Sequence, residues 1–305
     1  MTTIDRNRLK RLSDREEQRF KVQHPKSAAM FRAAQGSLLG GVPMSWMKKW
    51  AGAFPVFVKD AKGAHFTCAD GRNYVDLCLG DTGAMTGHSP DVVVEAVARQ
   101  VRQGITLMLP TEDSLHVGED LKKRFGLAYW QFTLTATDAN RFSIRIAREI
   151  TQRPKILVFH YCYHGTVDES FAGLHDGVVG PRRGNLGPPV NPAETTRVVE
   201  FNDLNALEDA LKQHDVACIL AEPAMTNVGI ILPEEGYWKT GAGPGAALRN
   251  AFDGGRNAYH LCGSGRLHRG MEAGTGPAGV WESDRQRDSW RNVRLHRGSG
   301  TAHFG

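Results

Sequence analysis

The chain predicts an α/β fold built on a mainly parallel sheet with helices on both faces. Three observations carry that expectation. Strand-like and helix-like periods alternate from Tyr129 to Ala221. Two short apolar runs, at 155–159 and 216–221, lack the in–out alternation of a half-solvated strand and read as strands buried on both faces. Helical stretches lie between the strand-like runs, as the crossovers of a parallel sheet require.

Each element has its own signal. MTTIDRNRLKRLSDREEQRF has no apolar h-region, so it is no secretory signal; Ser13 and Glu16 point to a capping box on a short surface helix. Between Ala53 and Leu79, three apolar-rich runs are broken by Asp60-Ala61-Lys62-Gly63 and by Ala69-Asp70-Gly71, the pattern of a small antiparallel meander. Ser89 as N-cap and Pro90 in the first turn open a helix striped by Val94, Val97, Ala98 and Val101, with Gly104 near its end. Thr111 caps the next helix, with Leu115, Leu121 and Phe125 inward and Gly126 at its C-terminus. Then come a strand at Tyr129 to Leu134, a helix at Asn140 to Ile150 and the buried strand at 155–159. A Gly/Pro-rich loop from Gly165 to Glu194 leads to a strand at Arg197 to Phe201. A helix at Leu204 to Gln213, with Leu204, Leu207 and Leu211 on one face, precedes the last buried strand. There is no internal repeat.

A chain of 305 residues is long enough to bury a large core. No apolar run is long enough to span a bilayer, which argues against a membrane partner. The five cysteines, Cys68, Cys78, Cys162, Cys218 and Cys262, show no CxxC and no ligand-like spacing, so no metal is expected; reduced thiols in a cytoplasmic protein are the expectation. The net charge is +5, but nine arginines against five acidic residues from Thr240 onward account for four of it. The body of the chain is nearly neutral, and no nucleic-acid partner follows from its charge.

Ligands of open α/β sheets bind beyond the carboxyl ends of the strands, so the segments that follow each strand are the candidate sites. LTATDANRFSIRIAR runs from a strand straight into a helix. There Ala136 and Thr137 offer backbone N–H groups, and Thr137 a hydroxyl, at a positive helix end suited to phosphate. Alone, the stretch reads first as an ordinary N-cap. YCYHGTVDES places Tyr163 and His164 at the end of the second strand, where an aromatic face can lie against a flat ring or simply pack in a core. AEPAMTNVG places the Glu222 carboxylate and the Asn227 amide after the third strand, or forms a structural turn.

The three loops in this order resemble those of the class III aminotransferases among the fold-type-I pyridoxal-phosphate enzymes. The branch they resemble includes glutamate-1-semialdehyde aminomutase and its aminotransferase relatives. LTATDAN stands where that family has its NSGTEA-type phosphate turn, YCYHG matches its YHG strand end, and EPAMTNVG its EPxxGNxG segment. YVDLCLGDTGAMTGHSPDVVVEAV is similar to the segment ending in GHxxPxVxxAV, and the resemblance runs from about Phe20 to Lys239. It implies an N-terminal small-domain segment over 1–80, with its helix and antiparallel meander. Residues 81–239 would be a partial fold-type-I transferase large domain; 240–305 lie beyond the resemblance and are expected from their composition to be a disordered tail. It implies pyridoxal 5'-phosphate as cofactor, its phosphate on Ala136 and Thr137. Tyr163 would stack on the ring, with Glu222 and Asn227 near the ring's 3-oxygen side. It further implies small-molecule amino donors and acceptors and a homodimer. LLGGVPMSWMKKW lacks the serine and arginine that the aminomutase places after its GGV, so an aminotransferase acting on another substrate fits equally well.

The family also carries a lysine that condenses with the cofactor aldehyde and an aspartate that pairs with the pyridine nitrogen. After EEGYW this chain has no counterpart to either, and Lys239 is its last lysine. Shifted by one nucleotide, the same codons permit the missing pattern. Asn257 to Arg266 permits THTICAGPGG, and Gly255 with Arg256 permits the preceding Asp. Met271 followed by Glu272 forces Trp, Trp281 followed by Glu282 forces Gly, and Glu282 with Ser283 permits Lys. The recovered reading, DETHTICAGPGG followed by PDLLVFGKAIGSGIPGG, has the family's order. From about Thr240 the chain therefore reads as a frameshifted, truncated and inactive aminotransferase product, whose Gly/Arg-rich tail has too little apolar surface to offset its ordering entropy. The alternatives are a non-catalytic truncated paralogue acting as an interaction protein, and a nucleic-acid arm with Trp281 and Trp290 for stacking.

Overall fold

A computed structural model describes residues 4–49, 51–81, 83–126, 128–235, 237, 259–262 and 266–268. The chain falls into two compact units, Met1–Leu109 and Pro110–Gly305. In the first unit, α1 (Arg6–Gln23) opens on Asp5, whose carboxylate accepts from the amides of Asn7 and Arg8 at 3.0 Å each. Ser13 and Glu16 therefore lie inside the helix and make no capping box; the orphan amides are met by Asp5, eight residues before Ser13. Helix α2 (Pro25–Ala34) starts on its proline. The expected meander is present as β1 (Val58–Lys62), β2 (His65–Cys68) and β3 (Asn73–Val75), all antiparallel. Its first turn is Gly63-Ala64, Gly63 at φ +57°, so Asp60, Ala61 and Lys62 of the expected break belong to β1.

Helix α3 (Asp91–Gln103) begins after Pro90 without a side-chain cap, because the Ser89 hydroxyl instead donates to the Ala61 carbonyl at 3.1 Å. Its stripe is not buried: Val94, Val97 and Val101 are all exposed. No described helix is long and apolar enough to cross a membrane.

The second unit opens with α4 (Asp113–Phe125). Here Thr111 contributes its carbonyl, which accepts from Ser114, rather than a capping hydroxyl; Gly126 closes the helix at φ +67° as expected. Leu115 is exposed, not inward. The strand expected at Tyr129 to Leu134 does not form. Tyr129, Phe132 and Leu134 stand exposed and none of the described strands pairs with the segment, so its β-propensity alone does not make a strand.

Helix α5 (Ala136–Thr151) starts four residues before the expected position, since Thr135 caps it. Strand β4 (Lys155–Phe159) follows. The expected loop at 165–194 contains a hairpin of β5 (Ala172–His175) and β6 (Val178–Pro181), and the short α6 (Pro192–Thr195). Then come β7 (Thr196–Val199), α7 (Leu204–Leu211) and β8 (Val216–Ala221). Within the stretch expected to be disordered, two short strands are described, β9 (Tyr259–Cys262) and β10 (Arg266–His268). The rest of that expectation lies outside the described residues.

The sheet order is β10-β9-β8-β4-β7, with β9, β8, β4 and β7 parallel and β10 antiparallel at the edge. Every residue of β8 is buried, as are Ile156, Leu157, Val158 and Phe159, so both faces are covered. Ile144 and Ala147 of α5, and Leu207 and Leu211 of α7, complete the core. Each large aliphatic side chain so buried contributes about 1.5–3 kcal/mol.

Candidate cofactor site

The carboxyl ends of β4 and β8 lie side by side because the two strands pair in parallel, Val158 opposite Leu220. Two loops leave from there, and the start of α5 meets the first of them. At that helix start, the Thr135 hydroxyl accepts from the Asp138 amide at 3.1 Å and donates to the Asp138 carboxylate at 2.8 Å. The amides of Ala136 and Thr137 have no acceptor among the described residues, as expected of a first helical turn.

Thr137 also holds the first loop. Its Oγ1 accepts from the Thr166 amide at 3.1 Å, which leaves its own proton free to donate. Asn140 donates from its carboxamide to the His164 carbonyl at 3.1 Å, and Arg141 donates to the Thr166 carbonyl at 3.1 Å. Between them Gly165 turns at φ +75°, and a Cβ there would lie 2.1 Å from the Thr137 hydroxyl. Only glycine admits so close an approach of helix and loop.

The second loop is tied to the first by Glu222. The residue is 7% exposed; its Oε1 accepts from the Tyr163 amide at 3.0 Å, and its Oε2 from the amide and hydroxyl of Thr226, both at 2.9 Å. Thr226 opens a short 3₁₀ turn, Thr226–Val228, that carries the exposed Asn227. Tyr163 is half exposed, its backbone fixed and its ring at the surface. His164 points the other way and is buried, with neither ring nitrogen hydrogen-bonded, and Asn140 Oδ1 is likewise unpartnered. Burial lowers the His164 pKa to about 4; Glu222 and the Leu220 backbone pull it upward but do not meet hydrogen-bond geometry. The imidazole is therefore neutral at ordinary pH.

Ala136, Thr137, Tyr163, Glu222 and Asn227 thus share one edge of the sheet, linked through two loops and a helix start. The sequence reading missed Thr135, Asn140, Gly165 and Thr226. Thr135 and Gly165 had a signal, a hydroxyl before an apolar-periodic stretch and a glycine between strand and loop; Asn140 and Thr226 had none. Of the lysines on the neighbouring elements, Lys155 begins β4 at the opposite edge, where it donates to the Ala193 carbonyl at 2.9 Å and stands 3.7 Å from Asp215. Arg197 grips that carboxylate at 2.6 and 2.7 Å. Burial works against the ionised form of Asp215, but the Arg197 hydrogen bond and the two cations outweigh it and lower its pKa. Lys212 follows α7, just before β8, and pairs with Asp209. Lys239 lies outside the described residues. An open cavity of about 490 Å³ beside Arg145, Arg148 and Arg153 is at the far end of α5, away from these loops.

The groups that could hold a phosphate are the amides of Ala136 and Thr137 with the Thr137 hydroxyl, and those that could meet a flat ring and its polar substituent are Tyr163 and Asn227. Two open amides and a hydroxyl sit at a helix start, Tyr163 lies on the loop that Thr137 and Asn140 hold, and Gly165 lets loop and helix approach closely. Asp138 in the same turn opposes an anion in part, its charge already engaged by Thr135.

The family model "Aminotransferase class-III" matches residues 46–242. The glutamate-1-semialdehyde 2,1-aminomutase of Methanocaldococcus jannaschii is 36% identical over 220 residues, 70% of this chain and 50% of its own length. The chain thus spans half the length of that relative. The crystal structure of a glutamate-1-semialdehyde aminomutase from Pseudomonas aeruginosa PAO1 superposes with a TM-score of 0.81 at 39% identity, over 100% of this chain and 71% of that one. A lysine-to-alanine variant of that enzyme in complex with PMP does so with a TM-score of 0.81 at 40% identity, with the same coverage.

Proposed function

The chain belongs to the class III aminotransferases, and from that premise we propose that its sheet edge is a pyridoxal-phosphate site of amino-group transfer, in an aminotransferase or an aminomutase. The observation that supports it is the convergence of Ala136, Thr137, Tyr163 and Asn227 on loops that Glu222 and Thr137 tie together. The amides of Ala136 and Thr137, at the positive end of α5, take the phosphate, and the Thr137 proton adds a third donor. The Tyr163 ring covers one face of the cofactor ring and excludes water from it. Asn227 presents its amide to the ring oxygen. When bound, the cofactor supplies an aldehyde and an electron-accepting ring. Its reactions draw on small-molecule amino donors and acceptors, in a homodimer of the cytoplasm.

Among the described residues, the lysines on the elements next to that edge, Lys155 and Lys212, stand at the other end of the strands. We infer that this chain binds the cofactor without covalent attachment and does not turn over an amino donor, the stretch from about Thr240 being a frameshifted reading. Titration with pyridoxal phosphate, then borohydride reduction and peptide mass spectrometry, tests this. Saturable binding with no pyridoxyl group on any lysine is expected; a fixed pyridoxyl group together with turnover of an amino donor overturns it. Sequencing the gene tests the frameshift, and a neighbouring frame without the lysine pattern refutes it.

A further inference from the structure

Glu222 does not face the cofactor space as a free carboxylate. Both its oxygens are engaged, one by the Tyr163 amide and the other by the amide and hydroxyl of Thr226, and the group is almost wholly buried. A carboxylate withdrawn from water is tolerated where it accepts several hydrogen bonds, and two of these three come from backbone N–H groups that would otherwise be orphans. The donors belong to different loops, one after β4 and one after β8. One side chain therefore sets the separation of two loops that no strand pairing reaches.

We propose that Glu222 is a positioning residue: through Tyr163 N and Thr226 it fixes where the Tyr163 ring and the Asn227 amide stand relative to each other, and so the geometry of the cofactor site. The inference rests on the function proposed above and assigns Glu222 no contact with the cofactor. Glutamate is required rather than glutamine because all three partners are donors. A carboxamide offers one oxygen and turns an NH₂ toward a donor, so one loop is released. Aspartate is one methylene shorter and cannot reach both loops.

The test uses the full chain with Glu222→Gln and Thr226→Val, the second removing one donor while keeping the amide. Amide hydrogen exchange over residues 160–166 and 222–228 reads the clamp without any cofactor. Pyridoxal phosphate titration and the induced circular dichroism per bound cofactor read the site. For Glu222→Gln, exchange rises about tenfold or more in at least one loop, pyridoxal phosphate binds about tenfold more weakly, and the induced signal at saturation falls. A purely stabilising role would lower the melting temperature and leave that signal per bound cofactor intact, and that outcome overturns the proposal. Unchanged exchange in both loops also overturns it. If Glu222→Gln does not fold, Thr226→Val decides: raised exchange over 222–228 with a smaller induced signal supports the clamp, and no change in either refutes it. Failure of the unaltered chain to bind pyridoxal phosphate rejects the proposed function and with it the positioning role, while the exchange comparison still reports whether the loops are clamped.

Discussion

At Gly165 the chain needs both a left-handed backbone and an absent side chain. A methyl group there would meet the Thr137 hydroxyl at 2.1 Å at φ +75°. Gly165→Ala is expected to destabilise the second unit by about 2 kcal/mol or more, from the φ penalty together with forced displacement of loop from helix. It should also weaken phosphate binding, since the displaced helix start holds the open amides. Urea unfolding measures the first effect and pyridoxal phosphate titration the second; an unchanged midpoint would show that the loop relaxes freely. His164 offers a titration. Its folded pKa of about 4 lies below the ordinary 6.5, so the unfolded chain binds the proton more readily. Stability is therefore full above about pH 6.5 and falls as the pH drops toward 4. Between about pH 7 and about pH 5 the loss from this residue alone is about 2 kcal/mol. Urea midpoints compared with His164→Leu should show a shallower pH dependence in the variant; parallel curves would mean the imidazole titrates normally.

Helix α5 shows what an element's start depends on. LTATDAN offers several hydroxyl and amide candidates in a row, and sequence alone cannot tell which one the backbone turns around. The structure selects Thr135, whose hydroxyl accepts from the Asp138 amide. Thr135→Ala is expected to cost about 1 kcal/mol and to fray residues 136–139, seen as faster amide exchange there; exchange confined to later turns would assign the cap elsewhere. The same contrast runs through the sheet. Strands β4 and β8 are legible because burial on both faces writes a continuous apolar run into the sequence. The run at 129–134 reads just as strand-like, yet a strand is decided by its partner, and none of the described strands pairs with it. The β5–β6 hairpin was signalled by Asp176-Gly177, which take φ +50° and +81° as a tight hairpin turn demands, but it is hidden in a glycine-rich stretch with little period. The site residues at strand ends could be named from their place after β4 and β8. The clamp between them could not, because the reach of Glu222 to Thr226 depends on a 3₁₀ turn that leaves no periodic trace.

For the whole molecule, the resemblance implied a first boundary near residue 80, and the chain falls into two compact units that part after Leu109. Helix α3 lies in the first unit although its valine stripe is exposed there, so amphipathic period alone did not reveal which body it joins. The segment between α3 and α4 has the features of a joint. Ile105, Leu107, Met108 and Leu109 are all exposed, Met108 fully so, and no helix or strand holds them. Exposed, unpaired backbone is where local opening is cheapest and where proteases cut first. Brief chymotrypsin treatment of the intact chain is therefore expected to cleave after Leu107 or Met108, since Pro110 blocks the bond after Leu109. Two fragments should accumulate, the larger carrying α5, β4 and β8 with the proposed site, and mass spectrometry would identify the new termini. If that larger fragment resists further cutting and still binds pyridoxal phosphate, the site belongs to the second unit alone. If the first cuts fall within β4 or β8 instead, the sheet is less stable than its burial implies, and the two-unit division fails as a description of how this chain is held together.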